Sequence, residues 1–280
     1  MVWVILSGAC CVPLRCDMAL VTTKAIVLRS RRWGEADRIL TFFSLRLGKV
    51  RGIARGVRRM KSRFGGMLEP FSAVNLTLFE KRHDDLASVS HVDVLDPFFS
   101  VRECLERISA ASCMVALIDG IMADRDPCPT VFQSLLMGLR LLVRTDDPRL
   151  LTLMFQMRVL GQSGFRPQLD HCVTCGGTVR GWSFTFSTAA GGLLCVACHR
   201  GHWDCGVPMS PGSVAFLRQA RRMPFEFVTR LTASGRVRNE LEQMIDTYTR
   251  TVVGKRLPEN NLLTGGHSAV AEDVVRGWSD

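Results

Sequence analysis

Two groups of residues in this chain have the types and spacing needed for chemistry. The first is Cys172-x-x-Cys175 and Cys195-x-x-Cys198, with nineteen residues between the pairs. A CxxC turn makes two thiolates converge, and two such turns supply the four soft ligands of a tetrahedral zinc ion. Gly176 and Gly177 follow the first pair, Gly191 and Gly192 precede the second, and Trp182, Phe184 and Phe186 alternate between them like strand residues. The expectation is a ribbon at 172–198 holding one structural Zn2+, with no ligand position left for a catalytic water. Four metal-free structural cysteines or a redox dithiol are the competing readings, but two matched pairs suit a metal better than one exchanging pair. His171, His199, His202 and Cys205 lie close enough in sequence to replace a ligand.

The second group is positive charge. Between Lys24 and Arg63 stand thirteen lysines and arginines against two acids, Glu35 and Asp37. That segment alone exceeds the +10 of the whole chain, so the remainder is close to neutral. Such a segment repels itself unless an anion offsets it, and nucleic acid does so with release of counterions. A solvated basic face is the blander reading. Here the charges alternate with apolar residues through strand-like sequence, which favours a built binding surface. Arg31, Arg32 and Arg38 sit around the first turn, Lys49 and Arg51 on the third strand, and Arg55, Arg58, Arg59, Lys61 and Arg63 in the loop after it. Arginine predominates, which suits forked phosphate contacts. Aromatic residues able to stack on bases are few, chiefly Trp33 and Phe64, so sequence-independent backbone binding is expected.

No constellation asks for bond chemistry. HExxH is absent, and the zinc-deaminase pattern fails because His171 and Leu194, not proline, precede the cysteine pairs. Gly48-Lys49 and Gly254-Lys255 have Phe43 and Thr249 where a phosphate-binding loop needs its first glycine. Gly161-Gln162-Ser163-Gly164 lacks a spacer residue of a nucleophile elbow. The adjacent acids Asp84-Asp85 and Asp146-Asp147 read as solvated turn residues.

These residues must be positioned by regular elements. From residue 23 to about 98 the hydrophobic period is two, with a first strand through Ala25 and Val27 and others at 38–44, 48–54, 71–79 and 86–95. Turn signals at 32–34, 47–49 and 64–66 separate them. Five short strands suit a closed barrel of the oligonucleotide-binding (OB) type, and an SH3-like barrel fits the same period. After Pro97 the period becomes helical. Leu105, Ile108, Val115, Ile118 and Met122 share a face, as do Phe132, Leu135, Leu139 and Leu142. Residues 150–160 are apolar nearly all round and predict a central buried helix. Val237, Leu241, Met244, Ile245, Tyr248 and Val252 mark a last amphipathic helix. The fold class is therefore α+β: an OB-type barrel at 18–98, then a near-neutral helical domain at 99–257 that carries the ribbon and stands apart from the charge.

The flanks are read separately. Residues 1–17 are apolar but too short to span a bilayer, and they lack a signal peptide's charged start. Met18 reads as the translation start, leaving 1–17 as an extension. Residues 258–280 read as a loose polar tail. Seven of the eleven cysteines, Cys10, Cys11, Cys16, Cys104, Cys113, Cys128 and Cys205, fall outside the two pairs. The odd total and scattered spacing argue against a disulfide framework and for a reducing, cytoplasmic compartment.

The stretches TTKAIVLRSRRWGEADRILTFFS, GKVRGIARGVRRMKSRFGGMLEPF, LGQSGFRPQLDHCVTCG and GKRL closely resemble the RecO family of bacterial recombination mediators, over about residues 18–257. The resemblance implies an N-terminal OB barrel followed by a helical domain with the ribbon. It also implies a non-enzymatic, nucleoid-associated protein that binds single- and double-stranded DNA and anneals complementary strands. The implied partners are RecR and single-stranded-DNA-binding protein, with the RecA filament reached indirectly. Family members do not all keep the four cysteines, so this chain resembles the zinc-bearing version. A zinc-ribbon and OB-barrel RNA-binding factor of translation or ribosome assembly is the alternative.

Overall fold

The computed structural model describes residues 18–57, 64, 68–81, 86–179, 181, 183–199, 206–254 and 257–258. The expected extension at 1–17 and all of the tail but Pro258 lie outside the described residues, as do Trp182, Asp84 and Asp85.

Five strands form a closed barrel: β1 (Met18–Trp33), β2 (Asp37–Ser44), β3 (Gly48–Ala54), β4 (Ala73–Lys81) and β5 (Leu86–Asp96). Period-two alternation fills the interior with Ala25, Val27, Leu40, Phe42, Val50, Ala54, Leu76 and Leu78. The order is β1-β2-β3-β5-β4, every pair antiparallel except β3 with β5, which closes the barrel in parallel. That arrangement is the OB type and not the SH3-like one. β4 begins two residues later than its apolar run, because Phe71 adopts a left-handed φ of 74° that no strand can hold.

A β-bulge interrupts the β1–β2 register between Val27 and Arg29. It shifts the alternation by one, so that Arg29, Arg31 and Trp33 continue on the outer face already carrying Ile26. That outer face is not free along its length. Ile26, Leu28 and Phe43 belong to the same core as the helices, and the rings of Phe43 and Phe132 lie 6.2 Å apart.

The helical body is built on α2 (Leu105–Ile121), α3 (Pro129–Leu142), α4 (Pro148–Gln162) and α7 (Gly235–Val253), with a single turn α1 (Phe99–Arg102) leading in from the barrel. α4 is buried nearly all round, as its apolar composition requires. Asp147, expected as a solvated turn residue, instead caps it: Oδ1 accepts from Leu150 N at 2.9 Å while both carboxylate oxygens hold Arg238 of α7. On α2 the expected stripe is only partly right. Leu105 is exposed, and Ala110, Ala111, Met114 and Leu117 supply packing from other faces. Here the helix is enclosed by α3, α4 and α7, so small residues matter as much as large ones.

A second, three-stranded sheet of order β7-β6-β8 comprises β6 (Phe184–Ser187), β7 (Gly192–Leu194) and β8 (Val207–Met209), with the turn α5 (Val196–His199) after β7. β8 leads into α6 (Pro211–Arg222) and a 3-10 turn at Phe225–Arg230. The buried carboxylate of Glu240 ties this segment to α7, accepting from Ser210 N, Ser210 Oγ, Ser213 Oγ and Arg236 Nε at 2.6–2.7 Å. Burial by itself would raise its pKa, but these donors override it and hold the group at about 2.

The two halves interlock at the β2–β3 turn. Gly48 has φ +67°, and a Cβ there would lie 2.2 Å from the Asp126 carbonyl oxygen. Arg125 N donates to Lys49 O at 2.9 Å beside it. Two predictions follow from these contacts. Gly48→Ala should destabilise the chain by about 3 kcal/mol or more in urea denaturation, through both backbone strain and the collision. Glu240→Gln should cost about 2 kcal/mol near neutral pH. Because the native group titrates below its ordinary value of 4.5, its stabilisation is complete above that value. The gap between wild type and variant should therefore close as pH falls from 4.5 towards 2.

Candidate metal centre and nucleic-acid interface

The four cysteines meet. Their sulfurs all lie within 4.8 Å of one another, and Cys175 Sγ to Cys195 Sγ is 3.8 Å. A tetrahedron with metal–sulfur bonds of about 2.3 Å has edges of about 3.8 Å, so the group fits one ion. Local structure explains the convergence. Gly176, at φ +71°, turns the chain so that its N–H reaches Cys172 O at 2.9 Å. Val173 N donates to Leu193 O, setting this first turn beside β7, which delivers Cys195 and then Cys198 on α5. Cys195 N points at Cys172 Sγ (3.3 Å) and Cys198 N at Cys195 Sγ (3.5 Å).

Thiol acidity is divided within the cluster. Burial would raise Cys172, yet backbone N–H groups of Cys175, Cys195 and Thr174 bring it down to about 6. Hydrogen bonding to Cys195 and Cys175 pushes Cys198 up to about 12. Such a set resists releasing all its protons until a cation compensates the crowded thiolates. His171 and His199 are not members of the cluster; His202 and Cys205 lie outside the described residues. Beneath the centre, Phe184, Phe186, Leu193 and Leu194 join the helical core, and the Phe186 ring meets Tyr248 edge-on at 5.3 Å.

The expected DNA contacts separate into three groups. Arg31, Arg32 and Arg55 are exposed, and none has an ion pair among the described residues. Lys49, Arg51 and Arg38 are engaged by acids of the protein itself, Lys49 and Arg38 partly buried and Arg51 at the surface. Lys49 Nζ donates to Asp119 O at 2.8 Å and lies 3.8 and 3.3 Å from the Asp119 and Asp124 carboxylates. Arg51 pairs with Asp124 (3.1 Å), Arg29 with Asp119 (2.7 Å) and Arg38 with Glu69 (2.9 Å). Arg58, Arg59, Lys61 and Arg63 lie outside the described residues. The helical body thus does not stand apart from the charge. The end of α2, where carbonyl oxygens and Asp119 accumulate negative potential, is set against the barrel's cations. Of the two stacking candidates, Phe64 is 1% exposed and sits in the barrel core, whereas Trp33 is 57% exposed.

Sequence reading missed one feature, a cavity of about 690 Å³ between α4, α6 and the 3-10 turn. Met154, Met157, Leu217 and Met223 line it, with Arg158, Arg166 and Arg221 around them. The Arg158 guanidinium stacks over Phe225 at 5.2 Å, and Arg221 pairs with Asp170 at 2.8 Å. No helix among the described residues is long and apolar enough to cross a membrane.

A closed OB-type barrel joined to a helical body with a four-cysteine centre defines the class of protein. The particular family is equally plain: the chain belongs to the recombination protein O (RecO) family. Residues 18–98 match the family model of the recombination protein O N terminus, and residues 102–261 that of its C terminus. The chain is 36% identical to the DNA repair protein RecO of Rubrobacter xylanophilus over 208 residues, which is 74% of this chain and 83% of that one. It is 30% identical to the DNA repair protein RecO of Syntrophus aciditrophicus over 243 residues, 86% and 94% of the two chains.

One metal ion per chain is the expected result of elemental analysis on the purified protein. Cys172→Ser should lose the ion, and amide-exchange protection should fall through the ribbon while barrel strands β1–β4 keep theirs.

Proposed function

We propose that this chain is a non-enzymatic mediator of DNA repair and recombination that works in the cytoplasm at the nucleoid. It binds single- and double-stranded DNA through its barrel and anneals complementary strands. With RecR it helps load RecA onto DNA coated by single-stranded-DNA-binding protein. The observation that carries this reading is the set of exposed arginines, Arg31, Arg32 and Arg55, with no ion pair among the described residues, on an OB-type barrel in a RecO-family chain. Arginines that face solvent can neutralise phosphates on two strands at once, lowering the repulsion that keeps complementary bases apart. The remaining cations of the sequence loop, Arg58, Arg59, Lys61 and Arg63, are proposed to contribute charge to the same binding.

The metal is assigned as one structural Zn2+, held by Cys172, Cys175, Cys195 and Cys198. Four thiolates are soft donors suited to zinc, and a filled tetrahedron supplies cross-linking and not an activated water. The methionine-lined cavity rimmed by Arg158 and Arg166 is proposed as the place where the single-stranded-DNA-binding protein docks, through an acidic peptide with apolar residues. Apolar side chains of such a peptide would meet the methionines, and its carboxylates the guanidinium groups of Arg158 and Arg166.

If about six phosphates are neutralised, log affinity for single strands should fall against log salt with a slope of about −4. Charge reversal at Arg55, Arg58, Arg59 and Lys61 should weaken binding to all sequences alike and flatten that slope. A slope near zero in the wild type would sink the electrostatic account. Strand annealing measured with and without the cognate single-strand-binding protein tests the rest, with Arg166→Glu expected to impair only the reaction on coated strands. Preference for RNA over DNA of equal length would instead favour the translation-factor alternative.

A further inference from the structure

The β1–β2 hairpin carries an arrangement that phosphate binding alone does not explain. Trp33, the last residue of β1, leaves more than half of its surface in water. Such exposure forgoes the hydrophobic gain that buries most tryptophans. The residues around it are ordered in rows across the sheet. Arg29 lies opposite Thr41 and Thr41 opposite Arg51; Arg31 lies opposite Ile39 and Ile39 opposite Ile53; Trp33 lies opposite Asp37. After the bulge these rows share one outer face.

That face has two unlike ends. At the first row Arg29 and Arg51 are matched to Asp119 and Asp124. At the far end Arg31 and Arg55 have no ion pair among the described residues, and Ile39 and Ile53 are half-buried between them. Asp37 Oδ1 accepts from Gly56 N at 2.8 Å. The same bond brings the turn bearing Arg55 alongside the hairpin.

We infer that the outer face of this hairpin is a stacking site for an unpaired nucleobase, with Trp33 as the platform and Arg31 and Arg55 holding the adjoining phosphates. The inference rests on the DNA-binding reading and adds to it a means of telling single strands from duplex. Residues 31 and 33 are two steps apart on one strand, about 6.7 Å, comparable with one nucleotide of an extended single strand. A base in a duplex is already stacked on its neighbours and is not available to an indole, whereas an unpaired one is. The phosphates of either form can still reach the arginines. Asp119 and Asp124 bound the track at its other end, since a phosphate there would meet carboxylates already bridged to Lys49 and Arg51. Only a short stretch of strand is gripped this way.

The test compares the full chain with Trp33→Ala and Trp33→Phe on three probes of equal length: oligothymidylate, the same strand with abasic residues, and a duplex. Trp33→Ala should bind oligothymidylate about tenfold more weakly. Its affinity for the abasic strand and the duplex, its salt slope and its urea midpoint should be unchanged, and Trp33→Phe should recover most of the loss. Equal weakening on all three probes, or none on any, would overturn the stacking site while leaving phosphate binding intact. Loss on all three together with altered unfolding would make Trp33 a structural residue. Wild-type protein that binds none of the probes would instead remove the DNA-binding reading itself.

Discussion

The barrel and the helical body meet around one ammonium group. Lys49 projects from the outer face of β3 beside Phe43, and only 14% of its side chain remains exposed. A cation that has lost its water at such a place must be matched by anions and hydrogen-bond acceptors or the contact fails. The C-terminal part of α2 and the loop after it provide both, through the Asp119 carbonyl and the carboxylates of Asp119 and Asp124. Burial raises the pKa of Asp124 and the cations Lys49 and Arg51 lower it, with the cations prevailing. Apolar contact between Ile26, Phe43 and the helices is therefore possible only because the charges bordering it are satisfied.

The same match decides where positive charge remains. A strand of alternating arginines would present one continuous cationic face, yet Asp119 and Asp124 cover the half nearer the helices, while the hairpin end keeps Arg31, Arg32 and Arg55 exposed beside its own acids Glu35 and Asp37. Arg38 is likewise held, by Glu69 and Ser30. Charges fixed in this way contribute to the frame and little to anion binding, because a phosphate would have to displace a carboxylate already in place. At the hairpin end the field toward a polyanion comes from Arg31, Arg32 and Arg55, whose side chains are exposed.

Much of the barrel was legible in the sequence because its strands are short, strictly alternating and separated by turn glycines. β3 occupies the stretch its pattern marks, and the four cysteines converge as their spacing requires. Other features were hidden for identifiable reasons. β8 has three residues, too few for a period, and α6 has a narrow apolar side that includes Val214 and Leu217. The division of the basic residues could not be read at all, since the acids that claim Lys49 stand 70 residues or more further along the chain. Phe64 and Trp33 looked alike as aromatic neighbours of arginine, and only closure of the barrel put one inside and the other out. Asp147 looked like any acid in a turn, and its part in capping α4 depends on Arg238, 91 residues away.

On the proposed function, a protein that holds two strands so that they can pair needs contacts that let bases move as well as contacts that fix the frame. Exposed arginines meet the first need: each is worth little in water, and their sum is governed by counterion release, so a strand can shift without crossing a large barrier. The frame meets the second by buried means. Lys49 with its acids joins barrel to helices, Asp147 and Glu240 lock α7 to α4 and α6, and the four cysteines close a ribbon whose short strands could not sustain a core alone. The partly buried charges of Lys49 and Glu240 serve the frame, while the solvated arginines of the hairpin end are left for the strand. That partition is what allows a rigid scaffold to present a labile grip.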